Sequence, residues 1–84
     1  MSMNAHIKLN LTQTLVPIGL LECKNTLSKM AAGEVLEVQA EDPEVIDNIK
    51  RIVRNSADQV IRSDRENGQL RIYIEKGSGS TGRG

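Results

Sequence analysis

The chain has 84 residues, with eleven Lys+Arg against eleven Asp+Glu, a single Cys, a single Tyr and neither Trp nor Phe. A chain of this length buries only about 60% of the surface its unfolded form exposes, so it supports one two-layer core and no deep pocket, and any chemistry sits on a shallow surface. Zero net charge and a lone aromatic ring argue against a dedicated nucleic-acid binder, one thiol rules out an internal disulfide, and no run approaches the roughly 18 apolar residues of a membrane span or the pattern of a signal peptide. The expected address is the cytoplasm.

In chain order, His6 to Thr12 alternates strictly, with Ile7, Leu9 and Leu11 opposite His6, Lys8, Asn10 and Thr12, which predicts a half-buried strand. After the polar bend at Gln13-Thr14, Pro17 offers the fixed φ that suits a first helical turn. Leu20, Cys23, Leu27 and Met30 then recur at helical spacing, predicting a helix over Pro17–Ala32 that stops at Gly33. From Glu34 to Ala40 the alternation returns, with Leu36, Val38 and Ala40 on the apolar side and Val35 on the polar side. Asp42-Pro43-Glu44 reads as a cap, a proline at the first helical position and an acid at the positive helix end. Val45, Ile46, Ile49, Ile52 and Val53 form the stripe of that second helix, expected over Pro43–Asn55. Gln59 to Ser63 is a weaker strand, and Arg65-Glu66-Asn67-Gly68 is a turn signal before Leu70, Ile72 and Ile74, so the last two strands form a hairpin.

The order β-α-β-α-β-β predicts an α+β, two-layer sandwich: a four-stranded mixed sheet with both amphipathic helices on one face, because each helix must cover apolar sheet surface. Right-handed crossovers place the first two strands parallel, either adjacent or separated by one strand. The expected core comprises Ile7, Leu9, Leu11, Leu20, Leu27, Leu36, Val38, Ile49, Ile52, Leu70, Ile72 and Ile74. Residues 1–76 form a single domain, and the Gly/Ser-rich stretch 77–84 is expected to be a flexible tail, since it holds four of the seven glycines and no apolar side chain. Met1-Ser2-Met3 carries no signal of its own.

Several marks together resemble the TusA/SirA-like sulfur-carrier family over about Ile7 to Gly77. They are an alternating first strand leading to a proline-started helix, Met30-Ala31-Ala32-Gly33-Glu34 at the helix-to-strand corner, Leu36-Glu37-Val38, Glu41-Asp42-Pro43 and the closing Lys76-Gly77. The resemblance implies a persulfide chemistry. That family carries a C-P-x-P motif whose cysteine, at a helix start, takes sulfur from a donor and passes it to an acceptor protein; the free N–H groups and positive end of the helix favour the thiolate. Counted back from Gly33, the equivalent positions here read Val16-Pro17-Ile18-Gly19, so Val16 replaces the cysteine and Gly19 the second proline. Asn10 and Gln13 stand at the family's acidic and glycine positions.

The reading that follows is a domain of this family with a degenerate motif, a non-catalytic binding or regulatory partner in sulfur relay or redox metabolism. Val16, Pro17 and Ile18 would form an apolar patch facing a protein partner. The alternative is a sulfurtransferase working through Cys23 or a partner's cysteine. Cys23, however, falls on the Leu20, Leu27, Met30 stripe, nearly two turns or about 10 Å beyond Val16, and reads as a core side chain. No catalytic residue is assigned and no cofactor is expected. His6, Glu22, Glu41 and Glu44 lack the i, i+3/i+4 spacing of a metal site, so no metal is expected; His6 reads as a solvated strand residue. Lys50, Arg51, Arg54, Arg62, Arg65 and Arg71 give a local basic excess over Asp58, Asp64 and Glu66, and the fold also resembles the carboxy-terminal domain of bacterial translation initiation factor three. An RNA- or ribosome-binding module is therefore a second alternative, with Tyr73 as its sole stacking platform, although ordinary solvated helix charge accounts for those cations.

Overall fold

The computed structural model describes residues 6–12 and 16–77, with the side chains of Val16 and Pro17 outside that description. The expectations for Gln13-Thr14, for Met1-Ser2-Met3 and for the tail beyond Gly77 lie outside the described residues. Six elements follow in order: β1 (Ile7–Asn10), α1 (Val16–Lys29), β2 (Val35–Ala40), α2 (Pro43–Arg54), β3 (Gln59–Glu66) and β4 (Gln69–Glu75). The sheet runs β1-β2-β4-β3, with β1 parallel to β2 and β4 antiparallel to both β2 and β3.

The period of two puts Leu36, Val38 and Ala40 of β2 and Ile72 and Ile74 of β4 on one face of the sheet. Cys23 and Leu27 of α1 and Val45, Ile46, Ile49 and Val53 of α2 close over that face in a single cluster. The two-layer expectation therefore holds. Leu36, Val38, Ile49, Ile72 and Ile74 are wholly buried, each contributing about 1.5–3 kcal/mol by removal of apolar area from water. Ile7, Leu9, Leu20, Ile52 and Leu70, expected in the core, are only half-buried, because an edge strand, a hairpin end or a helix flank leaves one side of each uncovered.

α2 begins as expected: Asp42 is extended (φ −98°, ψ 119°) and its carboxylate accepts the Glu44 N–H at 2.9 Å, ahead of Pro43 in the first turn. α1 ends at Lys29, short of the expected Ala32. The corner after it has its own hydrogen bonds, since the Glu34 carboxylate accepts the Ala31 N–H at 2.8 Å while the Glu34 N–H donates to the Ala31 carbonyl at 3.0 Å. Gly33, at φ +90°, then takes the left-handed conformation that turns the chain into β2.

β3 continues past the expected Ser63 to Glu66. Asn67 (φ 53°) and Gly68 (φ 79°) both adopt positive φ, the two-residue hairpin geometry whose twist matches the strands, so Arg65 and Glu66 stay in register with Leu70 and Gln69 rather than joining the turn. A bulge between Val60 and Arg62 makes Ile61 the extra residue of β3.

Val35, read on the polar side, is buried instead. The His6 N–H donates to its carbonyl at 2.9 Å and the Val35 N–H donates to His6 Nδ1 at 3.0 Å, so His6 is a backbone clamp on β2 and not simply a solvated strand end. Gly77, assigned by composition to the tail, is tied into the fold by its N–H donating to Asp58 Oδ1 at 2.9 Å.

Candidate functional site

Parallel pairing of β1 with β2 brings the end of β1 and the end of β2 to the same edge of the molecule, and α1 and α2 both start there. Ala40 of β2 faces Leu70 of β4, and Arg65 faces Leu70 from the other side, so the β3–β4 hairpin turn lies at that end as well. The Gln39 side-chain amide donates to Gln69 Oε1 across the strands. Both helix N-termini thus share one end of the sandwich, that of α2 capped by Asp42.

The β1–α1 corner is built from short-range chemistry. Asn10 Oδ1 accepts both the Thr12 N–H (3.0 Å) and the Thr12 hydroxyl (2.7 Å), an Asx turn that bends the chain out of β1. Leu11, 3% exposed, extends the ladder through its N–H to the Gln39 carbonyl at 2.8 Å and turns its side chain under α1. Gly19 is buried against it: a Cβ there would lie 3.3 Å from Leu11 Cδ1, a tight contact that the Leu11 side chain would have to relieve by shifting a few tenths of an ångström, so the first turn of α1 sits close on Leu11. On the outer side of the same turns, Ile18 and Leu21 are 51% and 57% exposed. Three residues apart on a helix, they share one face.

The structure thus gathers Asn10, Gly19 and Ile18 at one corner together with the backbone of Val16 and Pro17. Leu21 was not singled out by the sequence; its signal was its place three residues beyond Ile18 and off the Leu20–Cys23–Leu27 stripe.

Cys23 is not brought to this corner. It is completely buried on the core side of α1, and burial together with the nearby Asp58 carboxylate pushes its thiol up to about 11. Asp58 is itself largely enclosed, its side chain 8% exposed, with Oδ1 receiving the Gly77 N–H and lying 3.9 Å from Lys76 Nζ. Among the described residues no group of three His, Cys, Asp or Glu side chains converges as a metal site.

The cations that raised the nucleic-acid alternative are dispersed. Lys50, Arg51 and Arg54 lie on α2, whereas Arg62 and Arg71 lie on the sheet face away from the helices. There Arg62 pairs with Asp64 at 3.0 Å, and Arg71 lies between Glu37 (3.6 Å) and Glu66 (3.8 Å). The Arg71 guanidinium is held above its ordinary pKa by the neighbouring Tyr73 hydroxyl first, then by those carboxylates, against an opposing contribution from burial. Tyr73 stands beside Arg62 and Glu37 in register, so the single ring is embedded in a charge-balanced surface. No helix among the described residues is long and apolar enough to cross a membrane.

Comparison with known proteins places these features in a family. The family model described as sulfurtransferase TusA matches residues 7–76. A candidate sulfur carrier protein of Methanocaldococcus jannaschii is 32% identical over 69 residues, covering 82% of this chain and 92% of that protein. The sulfur carrier protein TusA of Allochromatium vinosum is 30% identical over 60 residues, covering 71% of this chain and 79% of its own length. In fold, the crystal structure of a SirA-like protein from Desulfitobacterium hafniense superposes with a TM-score of 0.69 at 19% identity, over 86% of this chain and 99% of the other.

Proposed function

This chain belongs to the TusA family, and from that premise we propose that it acts as a non-catalytic binding or regulatory partner in cytoplasmic sulfur relay or related redox metabolism. The observation that carries the reading is the burial of Cys23, the single cysteine of the sequence. A sulfur carrier must offer a thiolate to a donor and then to an acceptor. A thiol pushed up to about 11 and enclosed beneath α1 is neither ionised at neutral pH nor within reach of another protein. Where the family motif C-P-x-P would supply a reactive sulfur, this chain has Val16-Pro17-Ile18-Gly19.

What the corner retains is a surface. Ile18 and Leu21 expose apolar side chains beside the start of α1, next to Val16 and Pro17 in sequence. Burying one such side chain against a protein partner contributes about 1.5–3 kcal/mol. A partner that recognises the family's helix start would still find the α1 backbone there.

The experiment has two arms. The intact chain is incubated with a cysteine desulfurase and cysteine and weighed by mass spectrometry; no sulfur gain is expected, and a sulfur mapped to Cys23 would support the sulfurtransferase alternative instead. Pull-downs from native cytoplasm then compare wild type with Ile18→Asp and Val16→Asp, all checked for folding by circular dichroism. Partners lost in the variants support the binding role, and identical partner sets count against it.

A further inference from the structure

The strand order leaves β3 at one edge of the sheet, its outer side free of any strand among the described residues, although with eight residues it is the longest strand described. Ile61, at the bulge of this strand, is one of only three large hydrophobic side chains exposed among the described residues. A long free edge is a template for strand addition unless charge or shape prevents it. The charges here select an occupant rather than exclude every one.

We propose that the β3 edge pairs antiparallel with β3 of a second copy of this chain, about a two-fold axis through Ser63, joining the two sheets into one of eight strands. The register follows from parity and charge. A two-fold axis normal to the sheet keeps each face on its own side, so opposed residues must share a face, and beyond the bulge only pairings centred on a residue qualify. Arg62, Asp64 and Glu66 point to the face away from the helices, being in register with Tyr73, Arg71 and Gln69, while Ser63 and Arg65 point to the helix side with Ile72 and Leu70. Centring on Arg62 would set Arg62 against Arg62 of the other copy. Centring on Asp64 opposes two carboxylates, and centring on Arg65 opposes two guanidiniums while setting Asp64 against Glu66.

Only the Ser63 centre opposes unlike charges throughout: Arg62 meets Asp64 of the second copy and Asp64 meets its Arg62. With the Arg62–Asp64 pair already 3.0 Å apart within each chain, the four groups alternate in sign around the axis. The same register brings Arg65 of the second copy opposite Ile61, where the aliphatic stem of an arginine can cover the exposed side chain while its head stays in water. On the helix side, a groove of about 280 Å³ lined by Ile46, Lys50, Ser63 and Arg65 separates α2 from β3.

Charge exchange and crosslinking test this on the full chain. Sedimentation equilibrium over a concentration series should show a monomer–dimer equilibrium for wild type. Arg62→Asp should weaken dimerisation roughly tenfold, and the double variant Arg62→Asp/Asp64→Arg, which restores opposite signs, should return to within about threefold of wild type. Circular dichroism confirms that each variant is folded. Ser63→Cys should form an intermolecular disulfide under mild oxidation, since residues directly opposed across an antiparallel pair have Cα atoms about 4.5–5.5 Å apart; Cys23, being buried, does not compete. A wild type that remains monomeric at millimolar concentration, or a dimer indifferent to both charge variants, overturns the proposal.

Discussion

Gly77 lies against Ala57 so closely that a Cβ on it would fall 1.9 Å from the Ala57 carbonyl oxygen. The contact is backbone on backbone, joining the segment after β4 to the turn between α2 and β3. Around it, Lys76 exchanges backbone hydrogen bonds with the α1–β2 corner: its N–H donates to the Glu34 carbonyl at 2.8 Å and its carbonyl accepts the Gly33 N–H at 2.9 Å. Asp58 completes the closure through the Gly77 N–H and the Lys76 ammonium. Two corners distant in sequence are thus held by the last described residues of the chain.

The first prediction follows from that contact. Gly77→Ala has no side-chain rotation that relieves the clash, so the strand end or the Ala57 turn must move, at a cost of about 1–3 kcal/mol or more. Urea denaturation should show a lower midpoint with an unchanged slope, whereas Gly68→Ala, whose Cβ would meet nothing within 4 Å, should cost only the strain of its φ of +79°. Equal stability of Gly77→Ala and wild type would show that the contact is not fixed.

His6→Ala removes the acceptor of the Val35 N–H while leaving the backbone bond from the His6 N–H to Val35 in place. The bond is part-buried and His6 is exposed, so water replaces some of what is lost and the cost is about 1 kcal/mol, the low end for an orphaned donor. Hydrogen exchange should register the loss at Val35 before any effect on β4, because β2 is otherwise secured on both sides.

The parts of this fold that could be read in the sequence are those set by neighbours along the chain. Asp42-Pro43 specifies a helix start through one carboxylate and one fixed φ, and Asn67-Gly68 specifies a hairpin because both residues tolerate positive φ. The order β1-β2-β4-β3 depends on which strand pairs compete best for the centre, and no local pattern encodes it. β3 was read short because an edge strand carries charge on both faces, which hides alternation. The clasp of Asp58 on Gly77 and the His6 clamp on Val35 join residues 19 and 29 positions apart, beyond the reach of periodicity. At the candidate site the motif positions were legible as residue types, whereas the exposure of Leu21 and the seating of Gly19 on Leu11 required the packing of α1 on β1.

Cys23 should also leave a signature in the pH dependence of stability. Its thiol sits at about 11 in the folded chain against an ordinary value of 9.0, so the folded state keeps its proton where the unfolded state has released it. Stability from this group is therefore complete below about pH 9 and declines as pH rises from 9 towards 11, by about 2–3 kcal/mol at most. Lysine and tyrosine titrate in the same range, so the measurement is the difference between wild type and Cys23→Ala, whose stability curves should converge with rising pH. Alkylation of the native protein should likewise be slow and accelerate in denaturant; labelling at the rate of a free cysteine peptide would contradict the burial.

The last prediction tests whether the α1 start keeps the electrostatics that sulfur transfer requires. α1 begins at Val16, has no acidic side chain in its first turn and has Pro17 next, so Ile18 and Gly19 supply the first backbone N–H groups beyond the proline at its positive end. A thiol introduced by Val16→Cys would sit where that field favours the thiolate, as Cys23 does not. Its pKa should fall below the ordinary cysteine value of 9.0, and it should alkylate far faster than Cys23 at neutral pH. The variant should then gain sulfur from a cysteine desulfurase when the wild type does not. A reactive thiol that takes up no sulfur would place the remaining defect in the loop, where Asn10 folds the chain back on Thr12 and Gly19 sits close on Leu11, leaving a donor the wrong approach. A thiol no more acidic than that of a free cysteine would instead show that the field at this helix start is too weak, and the surface alone would be what this corner offers a partner.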